Sequence, residues 1–470
     1  MGGDGSVVPP EPKVSGFERE SISERRPLSG VTGCPPTTLS DRSRQPLLSQ
    51  ILSSMRTAAI AVVASTLAFA LASAIPSSPH PRDGSPGIHV ELGPRPYFLI
   101  DDMDDGALKK KLQSCSAGPF RSTSFSIGHR GASLQFPEET QQSMLAGARM
   151  GAGIIECDVV FTKDRQLVCR HSQCDLHATT NILTIPELNV KCTKPFTPAA
   201  GMKPADANCC TSDITLSDFK KLCGKMDGFN ASATTAADFQ NGTPNWRTDL
   251  YATCGKVMTH KEYIALVDSL GLQFTPELKT PVVKMPYEGT YTQEIYAQQM
   301  INEYKSAGIN PQRVWAQSFL LDDILYWVKA EPAFAKQAIL LDERGDTPDG
   351  YKEAVASLPD LAKKGVKIVG PPIPQILTLD AQNHIVPSTY ATAARANGLG
   401  IIAWTLERSG PLAQVAPTKE YYYASIASVI KKDGDMYTVL DVMAQQVKIL
   451  GIFSDWAATV TYYANCFGLK

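Results

Sequence analysis

The stretch IGHRGASLQFPEET, residues 127 to 140, sets a histidine and an arginine side by side between two glycines. His129 and Arg130 come at the end of an apolar run, where glycine neighbours let a ligand approach the backbone closely. Further along, Glu156 and Asp158 stand two residues apart in ECD, and Glu277 stands two before Lys279 in ELK. In an extended strand alternate side chains share a face, so each of these pairs points to one side. His171 ends VVFTKDRQLVCRH, two apolar runs around Thr162 to Arg165 that predict a hairpin returning His171 toward Glu156. Three carboxylates, two histidines, an arginine and a lysine thus gather at three strand ends. Groups this polar are rarely buried without partners.

Their chemistry follows from charge. Carboxylate oxygens are hard ligands suited to one divalent cation, Mg²⁺ or Ca²⁺. Such a cation beside Arg130 and Lys279 makes an anion site, for which phosphate is the natural occupant. A neutral imidazole takes a proton from an attacking hydroxyl, and a protonated one gives a proton to a leaving oxygen. Metal and paired histidines together suit cleavage of a phosphodiester.

The elements that must position these groups are legible as eight apolar runs. They are SFSIGHR from Ser124, IIECDVVF from Ile154, LQFTPELK from Leu272, VWAQSF from Val314, QAILLDE from Gln337, VKIVGPP from Val366, LGIIAWTL from Leu399 and LGIFSDWA from Leu450. Segments of helical period that end in glycine separate most of them, as in YTQEIYAQQMINEYKSAG and PSTYATAARANG. This alternation predicts a (β/α)8 TIM-type barrel, with an open doubly wound sheet as the competing architecture. Barrel strands carry active sites at their C-terminal ends, where the polar residues fall. Trp404, in the seventh run, is a candidate for lining the site. Residues 172–256 are too long for an ordinary connection and read as a cysteine-rich insertion after the second strand. Residues 75–120 form a Pro/Gly-rich lead-in, and 121–470 the barrel with its insertion.

MRTAAIAVVASTLAFALASA, residues 55 to 74, has the basic start, apolar run and small-residue end of a secretory signal. On that reading residues 1–54 are disordered or not translated, and the mature chain has no stable membrane span. The rival reading keeps the same run as a signal anchor. Of the eleven cysteines, Cys34 precedes the signal, and the remaining ten form an even set that fits disulfides in an oxidising compartment. Cys169, His171, Cys174 and His177 also have a zinc-like spacing, the lesser reading in such a chain. Cys157, inside a strand, is equally explained as a buried free thiol. The sequons Asn230-Ala-Ser232 and Asn241-Gly-Thr243 would lie on the insertion's surface. With 45 basic and 47 acidic residues, nothing marks a nucleic-acid surface.

GHRGASLQFPEET, ECDVVFTKDRQLVCRH and ELK, in this order and spacing, resemble the signature blocks of the glycerophosphodiester phosphodiesterase family. The resemblance runs from about Ser124 to Trp456. It implies a metal-dependent barrel enzyme that hydrolyses small-molecule glycerophosphodiesters to glycerol 3-phosphate and an alcohol. By position, His129 is the base and His171 the acid, Glu156, Asp158 and Glu277 hold the metal, and Arg130 and Lys279 contact the phosphate. The implied path has the substrate's neighbouring hydroxyl attack phosphorus, giving a cyclic phosphate that water opens. Glu139 and Glu407 stand where relatives have asparagine or, at the first, also histidine, and His177 stands where arginine is usual. Two other readings are a phospholipase D-like lyase on lysophospholipid or sphingolipid, and a non-catalytic secreted binding or cell-wall protein.

Overall fold

The computed structural model describes residues 88–418 and 420–470, so the expected signal segment, residues 1–54 and Cys34 lie outside the described residues. Eight parallel strands form the barrel: β1 (Thr123–Gly128), β2 (Ala152–Phe161), β3 (Gln273–Leu278), β4 (Gln317–Ser318), β5 (Ile339–Leu341), β6 (Ile368–Gly370), β7 (Gly400–Leu406) and β8 (Gly451–Ser454). Each pairs with the next, and β8 pairs with β1, which closes the cylinder. All eight coincide with the runs read from the sequence, and closure removes the open-sheet alternative. Ile127, Ile154, Ile339, Leu341, Ile368, Ile402 and Phe453 fill the interior. Burying each such side chain contributes about 1.5–3 kcal/mol.

Helices cover the strands in order, including α1 (Gln141–Arg149), α2 (His260–Ser269), α3 (Gln293–Ser306), α4 (Leu321–Ala330), α5 (Pro348–Lys363), α6 (Thr389–Ala396), α7 (Asp435–Asp441) and α8 (Ala457–Phe467). Their starts are written in hydroxyl caps. Thr140, Thr292, Thr347 and Ser388 each accept a backbone N–H from the first turn, and Thr259 with Glu262 makes a capping box.

The predicted hairpin is present: residues Leu167–Cys169 run antiparallel to β2, with Val159 opposite Cys169. Between it and α2 the insertion folds as short helical turns and two-stranded ribbons around its own apolar core, which includes Leu176, Ile182, Leu188, Phe219 and Phe239. Cys174–Cys210, Cys192–Cys209 and Cys223–Cys254 staple it. Such crosslinks are each worth about 2–4 kcal/mol. Cys157 bonds Cys169 across the hairpin, so it is not a free thiol. With Cys169 and Cys174 both in disulfides, the zinc-like spacing has lost its thiolates.

The lead-in is more ordered than its composition suggests. Helices Arg95–Asp102 and Ala107–Gln113 pack beside α8, and Cys115 bonds Cys466. Tyr462 donates its hydroxyl to the Leu112 carbonyl at 2.7 Å. Among the described residues no helix is long and apolar enough to cross a membrane.

Candidate active site

β1 ends in a tight turn at the barrel mouth. A Cβ on Gly128 would lie 2.7 Å from the Gly131 carbonyl, and one on Gly131, at φ +92°, would strike the Ser143 backbone at 2.5 Å. Only glycines permit this closeness. Between them Arg130 takes the left-handed conformation, φ +52°, and its backbone N–H donates to Glu156 Oε2 at 2.9 Å. A non-glycine residue in that region is held there by its surroundings at some cost in strain.

On β2, Ile154 faces the barrel interior, and Glu156 and Asp158 follow on the same side nearer the mouth. The parallel register sets Asp158 beside Glu277 of β3, and Glu277 beside Gln317 of β4. Glu156, Asp158 and Glu277 each present an oxygen within 4.8 Å of the others, and all three are buried. Gln317 donates to Glu156 Oε1 at 2.9 Å, and Lys279 Nζ lies 2.7 Å from Glu277 Oε1. Burial, then repulsion from Asp158 and Glu277, pushes the Glu156 carboxyl well up. Glu277 rises to about 7 through burial and Asp158, against the pull of Lys279. Burial opposes charge on Asp158 too, but Lys279 and Arg130 hold it below the usual carboxylate range. Asp158 Oδ2 is buried without a hydrogen bond, 3.4 Å from Arg130 Nε. Crowded carboxylates with an unsatisfied oxygen fit a hard divalent cation.

His129 closes one side. Its Nδ1 lies 2.5 Å from Asp455 Oδ1, and its Nε2 lies 3.8 Å from Glu156 Oε2. The Asp455 contact assigns the proton to Nδ1 and leaves Nε2 with its lone pair. Burial and then Arg130 pull the imidazole down to about 4, outweighing the Asp455 carboxylate. His171 is half-buried. Burial and the cations of Arg130, Lys279 and Arg408 hold its pKa well below the ordinary value.

Several residues here were not singled out from sequence. Asp455 follows β8 directly, and its Oδ2 lies 3.1 Å from both Arg247 and Arg408. Its place after a barrel strand was an available signal, as was that of Gln317 within β4. Glu138 holds Arg130 Nη1 at 3.1 and 3.3 Å, and Thr140 caps the helix that follows. Arg247 comes from the insertion, where nothing in the sequence pointed to the site. Glu139 accepts the Asp158 N–H at 3.1 Å, and burial with the Asp158 charge pushes its carboxyl well up.

Trp404 sits half-buried at the mouth and donates to the Gly370 carbonyl at 2.7 Å, with Phe319, Tyr421 and Tyr422 around it. Glu407, the other departure, does not face the carboxylate cluster. It receives Arg95 of the first lead-in helix at 2.9 Å and the Thr459 hydroxyl, tying lead-in to barrel. His177 packs in the insertion and accepts the Cys209 N–H at 3.4 Å.

The chain matches known proteins along most of this architecture. A protein of Arthroderma benhamiae named "Extracellular protein" is 54% identical over 245 residues, 52% of this chain and 100% of that one. The glycerophosphodiester phosphodiesterase GDPD6 of Arabidopsis thaliana is 22% identical over 385 residues, 78% of this chain and 91% of that one. Among solved structures, an Oleispira antarctica phosphodiesterase in complex with sn-glycerol 3-phosphate matches 72% of this chain and 95% of its own at 16% identity, with a TM-score of 0.40. The family model described as glycerophosphoryl diester phosphodiesterase family matches residues 129–452, more than half of the chain. A closed barrel carrying that family's sequence blocks at its mouth, together with this match, shows that the chain belongs to the glycerophosphoryl diester phosphodiesterase family.

Proposed function

We propose that the protein is a secreted enzyme that hydrolyses glycerophosphodiesters to glycerol 3-phosphate and an alcohol, using one Mg²⁺ or Ca²⁺. The observation that carries this reading is the meeting of Glu156, Asp158 and Glu277 within 4.8 Å, beside a His129 whose Nε2 is left free by Asp455. Those three carboxylates would hold the cation, which when bound supplies positive charge to the phosphate oxygens and acidity to a neighbouring hydroxyl.

The chain's own groups do the rest. His129, neutral through the physiological range, accepts the proton of the glycerol hydroxyl next to the phosphate as that oxygen attacks phosphorus. Asp455 stabilises the imidazolium so formed. His171 donates a proton to the departing alcohol oxygen, and the arriving diester anion offsets the cations that disfavour its protonated form. The cyclic phosphate then opens by the reverse roles, with water as nucleophile. Arg130 and Lys279 neutralise the phosphate, and Trp404 lines the mouth.

The segment at residues 55–74, the five disulfides and the extracellular relative support secretion. Asn230 and Asn241, half-exposed and exposed, are proposed glycan acceptors. The boundaries read from sequence, a barrel at 121–470 with an insertion at 172–256, are kept as the proposed organisation.

The test is turnover of glycerophosphocholine by the purified chain, with glycerol 3-phosphate measured enzymatically. Activity should vanish with EDTA and return with Mg²⁺ or Ca²⁺. His129→Ala and His171→Ala should each lose about 10²-fold or more. Indifference to chelator, or full activity in either variant, would refute the corresponding role.

A further inference from the structure

The insertion delivers a residue to the reaction centre. Its segment 241–254 ends at Cys254, bonded to Cys223, and spans the barrel mouth between two fixed points. At one, Tyr251 stacks on Phe136 of the β1–α1 loop, ring centres 4.3 Å apart. At the other, Trp246 lies against Gly410 after β7 so closely that a Cβ there would meet the indole at 3.0 Å. Between these anchors Arg247 points inward and is 9% exposed.

Its guanidinium is sparsely committed. Nη2 reaches Asp455 Oδ2 at 3.1 Å, while Nε is buried with no hydrogen-bond partner. Arg408 brings Nη1 to that same oxygen at 3.1 Å. One carboxylate, already bound to His129, therefore serves two arginines, leaving an excess of positive charge and N–H donors beside the base. Arg130 hydrogen-bonds Glu138, and its own Nε is likewise buried without a hydrogen bond, 3.4 Å from Asp158. Burial and then the neighbouring Arg408 cation lower the Arg247 pKa, against the opposing pull of Asp455, Asp227 and Glu138. A buried fork of donors with unmet hydrogen bonds matches a phosphate, which offers several acceptor oxygens.

We propose that Arg247, carried by the insertion, together with Arg408 forms a second arginine clamp on the substrate's phosphodiester anion beside Arg130 and Lys279, so that the insertion is part of the substrate site. This rests on the function proposed above. Arg247 contacts the phosphate oxygens, and Asp455 holds both guanidiniums and the imidazole.

The test uses the full mature chain with Arg247→Gln and Arg247→Lys, and Arg165→Gln as a surface control outside the site. Steady-state kinetics with glycerophosphocholine are paired with calorimetric titration of inorganic phosphate, and thermal melting checks folding. Arg247→Gln should raise KM and weaken phosphate binding by about 10- to 100-fold, the value of a charge-assisted contact. Arg247→Lys, which keeps charge but not the fork, should lose several-fold, so it still decides the matter if the glutamine variant does not fold. Wild-type phosphate affinity in either variant overturns the proposal. So does a fall in kcat alone with an altered pH profile, which would make Arg247 a positioning residue for Asp455. If the wild-type chain binds phosphate through Arg247 yet turns over no glycerophosphodiester, the clamp stands and the reaction assignment fails.

Discussion

Asp455→Asn probes the coupling between charge and catalysis at this site. The substitution preserves shape but removes the negative charge shared by His129, Arg247 and Arg408, at 2.5, 3.1 and 3.1 Å. The amide can also donate to Nδ1, which would move the imidazole proton to Nε2 and leave no base facing the hydroxyl. General-base catalysis is worth about 10²–10⁴-fold, and the corresponding exchange in a Ser-His-Asp triad costs about 10⁴ in kcat. The expected loss in kcat is thus at least about 10²-fold, toward 10⁴ if the tautomer inverts fully. The arginines matter as well. Arg247 and Arg408 have side chains 5% and 16% exposed, so losing their carboxylate leaves two nearly buried cations together. Breaking a buried pair costs about 3–5 kcal/mol, and the variant should melt at lower temperature. Kinetics should therefore be run well below its transition, with His129→Ala and the double variant alongside. If Asp455 works through His129, the double variant loses no more than His129→Ala alone. A folded Asp455→Asn protein with kcat within threefold of wild type would refute the positioning role.

Three further outcomes follow. Glu407 has a side chain 1% exposed, and its partner Arg95 is 27% exposed; Arg95→Ala should cost about 3 kcal/mol in chemical denaturation, with Arg95→Met/Glu407→Gln recovering most of it. Equal stability of the single variant and wild type would remove the lead-in's anchoring role. Cation affinity should rise from about pH 6 to about pH 8, because Glu277, raised to about 7, and Glu156, also raised, must lose protons to serve as ligands. Calorimetry in buffers of different ionisation enthalpy should register protons released on binding, and a pH-independent affinity would contradict this. The acid limb of kcat/KM set by the base should lie below the ordinary imidazole range, since His129 is held at about 4 and stays base-competent until that pH is approached. With the cation kept saturating at every pH, a limb near pH 6.5 or above would place the essential base elsewhere.

Much of the fold was legible because barrel strands write a local signal. Ile154 and Ile402 sit in short β-branched runs bounded by turn residues, and Thr140, Thr259 and Ser388 announce the helices that follow. The pairing of Glu156 with Asp158 was readable for the same local reason, since a period of two fixes which side chains share a face. The lead-in helices were missed because their stability comes from α8 and the Cys115–Cys466 bond, partners far away in sequence. Asp455 lies in the eighth apolar run, but its partners His129, Arg247 and Arg408 come from elements far away in sequence. Arg247 had no readable signal at all. Its location depends on where a disulfide-closed loop lands, and that is set by Trp246 on Gly410 and Tyr251 on Phe136, contacts with no sequence period. Glu407 shows the converse case, a residue noted in the sequence whose ion pair with Arg95 of the lead-in only the fold reveals.

Anomalous diffraction from a crystal soaked in Mn²⁺, a hard-ligand stand-in for Mg²⁺ or Ca²⁺, tests the metal centre most directly. One strong peak should lie among Glu156, Asp158 and Glu277, at about 2.0–2.6 Å from an oxygen of each. No peak there at saturating Mn²⁺, or a peak bound by other residues, would contradict the proposed centre and with it the chemistry built on it.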